Sequence, residues 1–158
     1  SIGMSGSSFI HPDIDEDLRT TGHVGTPPRV SEVYPYNRRH APSSTLNSSV
    51  GQMVNWMLVN LNRGELRGGR ILSRESYDLL WGTTTDSVEG APPVGLSWFL
   101  GELEGRRTVS HGGADTGFRS NIMLMPDDGI GVVIASNWSG TGTQALTNGI
   151  TRLVLEGR

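Results

Sequence analysis

The residues with the clearest chemical potential stand together in the run from His111 to Asp115, which reads His-Gly-Gly-Ala-Asp. Histidine is the side chain best suited to transferring a proton near neutral pH. The two glycines beside it allow a ligand to approach the backbone closely, and free N–H groups there can hold a developing oxyanion. The run indicates chemistry at a carbonyl group, although taken alone it is more typical of a β-turn that carries a surface histidine.

A Ser-His-Asp triad is not favoured around this histidine. The sequence has no Gly-x-Ser-x-Gly elbow. Ser110 directly precedes His111, so strand alternation directs the two side chains to opposite faces. Asp115 would be able to orient His111, but an orienting group without a nucleophile makes no catalyst.

Composition excludes several other kinds of chemistry. All 13 residues counted as lysine or arginine are arginines, which removes a Schiff-base lysine, a Walker A lysine and a Ser-x-x-Lys pair from this chain. The absence of cysteine removes disulfides, thiolate metal sites and a cysteine nucleophile. The formal net charge of −3 shows no excess of positive charge of the kind that binds nucleic acid or an anionic membrane. We expect no cofactor and no nucleic-acid partner.

Two further patterns are weaker signals. Residues 140–145 match Gly-x-Gly-x-x-Ala between a strand and a helix, but no second parallel strand with an acidic residue follows, so a flexible connector is favoured over a dinucleotide site. Possible hard-metal ligands lie near the N-terminus, namely His11, Asp13, Asp15, Glu16, Asp17 and His23. Their spacing fits neither an EF-hand loop nor a zincin helix. A solvated acidic loop is favoured, and no metal site is predicted.

The elements that must position the His-Gly-Gly run follow from periodicity and punctuation. Residues 1–47 are predicted to be an extended loop-rich segment, and residues 48–158 to hold the helices and an antiparallel sheet. Helices are predicted over 50–61, with Ser49 and Gln52 as a capping box, over 74–81, with Ser73 as N-cap, and over 142–156. The last helix carries an apolar face made of Leu146, Ile150, Leu153 and Val154. Strands are predicted over 95–103, 106–111, 118–125 and 130–136.

The strand over 130–136 is nearly continuous in apolar residues. Such a strand is typically covered on both faces and paired on both sides. The preceding hairpin supplies one neighbour, and only a helix follows. The sequence therefore predicts an α+β fold, an antiparallel sheet of about four strands with helices packed on it, as part of a larger domain.

Taken in order, several segments resemble the C-terminal part of the β-lactamase-related serine hydrolases, the group of class C β-lactamases, penicillin-binding DD-peptidases, D-aminopeptidases and related esterases. These segments are Ser1-Ile2-Gly3-Met4, Ala41-Pro42, Ser48-Ser49-Val50-Gly51-Gln52-Met53, Gly64-Glu65-Leu66, Ile71-Leu72-Ser73, His111-Gly112-Gly113, Gly117-Phe118, Pro126-Asp127-Asp128-Gly129 and the apolar strand that ends in Asn137. The resemblance covers nearly the whole chain.

The resemblance implies roles for particular residues. His111 takes the place of the lysine in the family's Lys-Thr-Gly motif, and Gly112 and Gly113 continue that motif. The backbone N–H of Ala114 would be the family's second oxyanion donor. Asn137 falls near the substrate side of the cleft. Because histidine lacks a permanent positive charge, recognition of a penicillin-type carboxylate is less expected than esterase or peptidase activity.

The family's Ser-x-x-Lys nucleophile and Tyr-x-Asn motif precede this region and are not spelled in the chain, where Tyr34-Pro35-Tyr36-Asn37 is no substitute. The resemblance thus implies the C-terminal portion of a hydrolase of a β-lactam, an ester or a D-amino-acid peptide, inactive alone. Its partners would be an acyl substrate, the N-terminal part of the same domain, or a second copy at an uncovered strand edge. The alternative is a non-catalytic ligand-binding or accessory module. Relatives are often exported, but no signal-peptide layout opens this chain.

Overall fold

The computed structural model describes residues 2–82, 85 and 92–157. Before the first α-helix, the chain forms only short elements. These are 3₁₀ turns at His11–Asp13, Glu16–Leu18 and Arg38–His40, and a small hairpin of β1 (His23–Val24) and β2 (Arg29–Val30). Loop dominates this segment, in line with its many Gly and Pro residues. The division at residue 47, within a single partial domain over residues 1–158, stays a prediction.

The first α-helix, α1 (Val50–Leu61), begins where the sequence predicts. The Ser49 hydroxyl accepts a hydrogen bond from the Gln52 backbone N–H at 3.3 Å and so satisfies one unpaired donor of the first turn. The second half of the predicted capping box is wrong, because the Gln52 side chain turns away from Ser49. Its Oε1 accepts from the Gly6 N–H at 3.1 Å and from the Ser7 hydroxyl at 2.6 Å. Gln52 therefore ties the N-terminal segment to α1.

A small hairpin and a second helix follow. The hairpin consists of β3 (Glu65–Leu66) and β4 (Gly69–Arg70), and the helix is α2 (Arg74–Gly82). The Ser73 hydroxyl accepts from the Ser76 N–H at 3.2 Å, which confirms Ser73 as the cap of α2.

Four antiparallel strands form the main sheet, in the order β5-β6-β7-β8. They are β5 (Phe99–Leu103), β6 (Arg106–Asp115), β7 (Phe118–Met125) and β8 (Ile130–Ser136). The predicted α+β class and antiparallel sheet are confirmed. The strand predicted over 95–103 starts only at Phe99, because Leu96 donates its N–H to the Leu80 carbonyl at the end of α2 instead of joining the sheet.

The strand that carries the His-Gly-Gly run is longer than predicted. β6 continues from the expected end at His111 to Asp115, and the chain reverses at Thr116-Gly117, where Gly117 has a φ of +82°. A positive φ is accessible to glycine without steric cost, which makes this pair the natural turn. The histidine and both glycines are therefore strand residues, and the β-turn interpretation of the run is wrong.

The core lies on the face of the sheet that carries α1 and α2. Its buried members are Tyr77, Trp81, Trp98, Val109, Ile122 and Leu124, with Trp56, Met57, Leu61, Leu80, Leu100 and Val133 packed against them. Because side chains alternate across a strand, the next residues of β7 face the opposite way. There Asn121 donates to the Thr147 hydroxyl of α3 (Thr143–Glu156) at 3.0 Å. The sheet thus has α1 and α2 on one face and α3 on the other.

The third helix packs on the sheet through a stripe of threonines. The apolar face identified in the sequence would have been the expected packing surface. Thr143, Thr147 and Thr151 are buried, while Leu146 and Leu153 are 49% and 69% exposed. Thr147 and Thr151 donate their hydroxyls to backbone carbonyls one turn earlier, at 2.8 Å each, so their methyl groups pack without an unsatisfied polar atom. The apolar face of α3 is left without a cover in the described part of the chain.

A buried hydrogen bond joins the two helices on the core face. The Tyr77 hydroxyl donates to Asn60 Oδ1 at 3.1 Å, and Asn60 in turn donates to the Trp56 carbonyl at 2.7 Å. Tyr77→Phe leaves Asn60 Oδ1 unsatisfied, so we expect the free energy of unfolding to fall by about 1–3 kcal/mol. Chemical denaturation measures this. Tyr36→Phe, at a partly exposed ring, is the control, and equal losses in both variants would contradict the assignment.

The last strand lies at one edge of the sheet. In the described part of the chain β8 pairs only with β7. Its other side, which the apolar run over 130–136 predicts to be paired, has no strand beside it there. No helix among the described residues is both long and apolar enough to cross a membrane.

Candidate active site

The His-Gly-Gly run lies along a partly unpaired edge of β6. β5 pairs with β6 only as far as Phe99 opposite Ser110, whereas β7 pairs with it through Asp115 opposite Phe118. Residues 111–115 thus have a neighbour on one side only, among the residues that the structure describes. We call the unpaired side of these five residues the open β6 edge. A strand edge of this kind presents N–H and C=O groups to an extended ligand.

The register determines which backbone groups face that edge. The pair that closes a two-residue hairpin exchanges hydrogen bonds, and such pairs alternate along an antiparallel ladder. Leu103 and Arg106 close the β5–β6 hairpin, so every second residue from Arg106 directs its N–H and C=O toward β5. Asp115 and Phe118 close the β6–β7 hairpin and give the same alternation. Gly112 therefore directs its N–H and C=O to the open β6 edge.

Ala114 follows the same alternation, two residues after Gly112, and beyond the last residue of β5. Its N–H and C=O point to the open β6 edge, while those of Gly113 point to β7. The structure thus leaves the Ala114 N–H where a ligand beside β6 would meet it. This is the position that the resemblance assigns to an oxyanion donor, and that role stays a prediction.

His111 shares the core face of the sheet, because it is directly opposite Ile122 in the ladder. Its side chain is exposed, and its ring centroid lies 5.6 Å from that of Phe99. Nothing in the described part of the chain joins a serine hydroxyl to the His111 ring by a hydrogen bond. The His111 ring and the outward-facing Ala114 N–H therefore belong to the same strand, three residues apart, and no described serine hydroxyl is bonded to the ring.

The two glycines of the run differ in what surrounds them. A Cβ at position 113 would lie 2.4 Å from the Ser120 hydroxyl oxygen, so a side chain there requires Ser120 to move. A Cβ at position 112 would meet Asn121 Oδ1 at 3.5 Å, which is ordinary contact. Gly112 instead lines a surface depression of about 400 Å³ on the α3 face, together with Phe99, Ser110 and Gln144. A side chain at position 113 would thus displace the exposed Ser120 hydroxyl, whereas Gly112 leaves space open beside the edge.

Asn137 lies past the end of β8, where its side chain holds the N-terminal segment. Its Nδ2 donates to the Thr21 carbonyl at 2.9 Å and to the Thr20 hydroxyl at 3.2 Å. Its backbone carbonyl accepts from the His23 N–H at 2.7 Å. The amide nitrogen of Asn137 is thus bound within the chain, and a role on the substrate side stays a prediction.

An aromatic cluster near the same end of the sheet is not visible in the spacing of the sequence. The ring centroids of His11 and Tyr34 lie 4.1 Å apart, and the Tyr34 ring meets the Phe118 ring edge-on at 5.6 Å. Burial, and then the nearby Arg19 charge, lower the pKa of His11. The His11 ring therefore packs against the Tyr34 ring. Among the described residues, no three potential metal ligands form a group.

The Gly-x-Gly-x-x-Ala run has a local packing explanation in part. A Cβ at Gly140 would lie 2.4 Å from the Trp138 ring, so the first glycine makes room for that side chain. Trp138 donates its Nε1–H to the Gly25 carbonyl at 3.0 Å. The run thus connects β8 to α3, as favoured from the sequence.

Comparison with known proteins extends over nearly the whole chain. A family model described as Beta-lactamase matches residues 1–156. The solved structure of the octameric penicillin-binding protein homologue from Pyrococcus abyssi matches with a TM-score of 0.83 at 22% sequence identity. The match covers 98% of this chain and 35% of that one, so the chain spans about a third of that homologue's length. No curated protein matches the chain.

Proposed function

The chain belongs to the beta-lactamase family, and from that membership we propose that it is the carboxyl-terminal part of an acyl-serine hydrolase. Its substrate is a β-lactam, an ester or a D-amino-acid peptide. The observation that carries the proposal is the open β6 edge, where the Ala114 N–H points outward three residues after His111. The nucleophile comes from residues outside these 158, since the chain holds no lysine for a Ser-x-x-Lys motif.

In the proposed mechanism the substrate lies along the open β6 edge as an added strand. Its carbonyl oxygen accepts a hydrogen bond from the Ala114 N–H, which strengthens as negative charge develops on that oxygen. His111 stands on the core face beside the reacting group and polarises the proton network of the nucleophile. Gly112 leaves the adjacent depression open for the substrate. Histidine at this position favours esters and peptides over penicillin-type carboxylates.

The uncovered surface around β8 supports a larger domain. Gln144 of α3 shares a depression with Ser110 and Gly112, so that flank of the helix faces β5 and β6. At 3.6 residues per turn, Leu146 and Leu153 lie on the opposite flank and overhang the free edge of β8. We therefore assign this region to the N-terminal part of the same domain, as strands that pair with β8 and pack beneath the apolar flank of α3.

Covalent labelling tests this function. The open frame upstream of Ser1 is sequenced and expressed with residues 1–158, and both the complete protein and the chain alone are treated with a fluorescent penicillin and an activated ester. We expect an acyl adduct on a serine of a Ser-x-x-Lys motif in the complete protein, lost on Ser→Ala substitution. We expect no adduct on the isolated chain. Specific acylation of the isolated chain contradicts the proposal.

A non-catalytic binding module is the second candidate, and it is favoured by the exposed His111 ring, to which no serine hydroxyl among the described residues is bonded. It requires a start codon directly before Ser1 and a monomer that unfolds cooperatively and binds ligand. The hydrolase proposal requires an upstream frame with the missing motifs. The upstream sequence and analytical ultracentrifugation together separate the two.

A further inference from the structure

A second depression lies at the other end of the molecule. It has a volume of about 440 Å³ and lies between the end of α1, the β3–β4 hairpin and the start of α2. Arg63, Arg67 and Arg74 line it, and we call it the arginine recess. Leu61, also in its lining, lies against Gly131 at the start of β8. Residues 111–115, which carry the open β6 edge, pair with the other end of β7, so the recess is remote from that edge.

Part of the charge around the arginine recess is neutralised within the chain. Arg63 forms an ion pair with Asp78 and lies over the Trp81 ring, with its guanidinium carbon 5.5 Å from the ring centroid. Glu65, the acid in the lining, is paired with Arg70. Arg63 is thus held by Asp78, and the Glu65 carboxylate is already paired and does not neutralise Arg67 or Arg74.

The other two arginines keep their charge available. In the described part of the chain no carboxylate forms an ion pair with Arg67 or Arg74 within 4.0 Å. Glu75 adjoins Arg74, but hydrogen bonds from its own backbone and from Ser73 are the main causes that lower its pKa, with Arg70 and Arg74 contributing least. Arg67 donates from Nη2 to Asn55 Oδ1 at 3.5 Å, and that acceptor is uncharged. Two arginines thus line one recess, and neither is neutralised by an ion pair among the described residues.

The backbone beneath Arg67 would suit a different residue. Arg67 and Gly68 form the two-residue turn between β3 and β4, with φ of +52° and +77°. Asn and Gly are favoured at such positions, whereas a long side chain there is uncommon. Arg63, with φ of +49°, is a second arginine of the recess in this conformation. Turn formation therefore does not account for the guanidinium side chains.

We infer that the arginine recess binds a phosphate-type oxyanion, either inorganic phosphate or a phosphate monoester. The guanidinium group presents a planar fork of N–H donors that matches two oxygens of such an anion. Two available guanidinium groups match the charge of a phosphate dianion. This binding is independent of the hydrolase proposal, because it uses residues at the other end of the sheet.

Titration with inorganic phosphate at constant ionic strength, followed by amide chemical shifts, tests the inference. We expect saturable shifts confined to α1, the β3–β4 hairpin and α2. The Arg67→Gly/Arg74→Gln double variant should weaken the apparent affinity at least about tenfold. Glycine suits the positive φ at position 67, so this variant removes a guanidinium without straining the turn.

The Arg38→Gln/Arg39→Gln variant removes the same formal charge from the N-terminal segment and should retain affinity within about twofold. A phosphate monoester such as glycerol phosphate should shift the same residues as inorganic phosphate if both sources bind. Equal weakening in both double variants, or absence of saturable shifts, overturns the inference. Acetate binding as tightly as phosphate would also overturn it, because a single carboxylate would then suffice.

Discussion

We expect kcat of the complete hydrolase to fall by about 10²–10³-fold when Ala114 is replaced by proline, the loss measured when one oxyanion donor is removed from an acyl-transfer site. Proline has no backbone N–H, so the substitution deletes the proposed donor. The register directs this N–H away from β7. The β6–β7 ladder therefore keeps its hydrogen bonds, and the variant should fold. Steady-state kinetics with an activated ester measures the effect.

The controls for this variant separate chemistry from folding. Ala114→Ser retains the N–H and should keep kcat within a few-fold of the parent. Gly113→Pro removes an N–H that points to β7, so it should destabilise the sheet and lower the free energy of unfolding. If Ala114→Pro and Ala114→Ser show equal kcat, the Ala114 N–H is not an oxyanion donor.

Local patterns were sufficient to predict most of the elements. The caps at Ser49 and Ser73 and the hairpin over 118–136 depend on interactions between residues close in sequence, and the structure has them where expected. The strand β6 was predicted too short because Gly112 and Gly113 have low strand propensity. Pairing with β7, a tertiary interaction, holds them in the sheet regardless.

The helical pattern of the sequence did not predict how α3 is oriented on the sheet. Periodicity identifies an apolar face around Leu146 and Leu153, but it does not say which surface covers that face. The sheet takes the face that holds Thr147 because Asn121 opposite it needs a polar partner. A threonine whose hydroxyl bonds its own helix offers that oxygen together with a methyl group.

Contacts between distant residues account for the rest of what the sequence did not predict at the candidate site. His11 and Tyr34 stack although 23 positions separate them, and Asn137 binds Thr21 across 116 positions. No local spacing encodes such pairs. They depend on how the N-terminal segment returns to the end of β8, which the tertiary fold sets.

The second large effect is expected at the free edge of β8. The ladder between β6 and β7 fixes the alternation in β7, and hence in β8, where Ser136 and Ile134 direct their N–H groups to β7. Ala135, between them, directs its N–H to the free edge. Ala135→Pro therefore removes an edge donor while the β7–β8 ladder stays intact.

The isolated 158-residue chain should associate through this edge, because a long, unpaired and apolar strand is a template for pairing with another chain. Analytical ultracentrifugation should find dimers or larger species for the parent and for Ala135→Ser, and a monomer for Ala135→Pro. In the complete protein, the same proline should block pairing with the N-terminal part of the domain and abolish activity. A parent chain that is monomeric across the concentration range, with an Ala135→Pro complete enzyme that remains active, would mean that β8 has no strand partner. Such a result would favour the free-standing binding module over the hydrolase, because the N-terminal part proposed to carry the nucleophile would then have no place on the sheet.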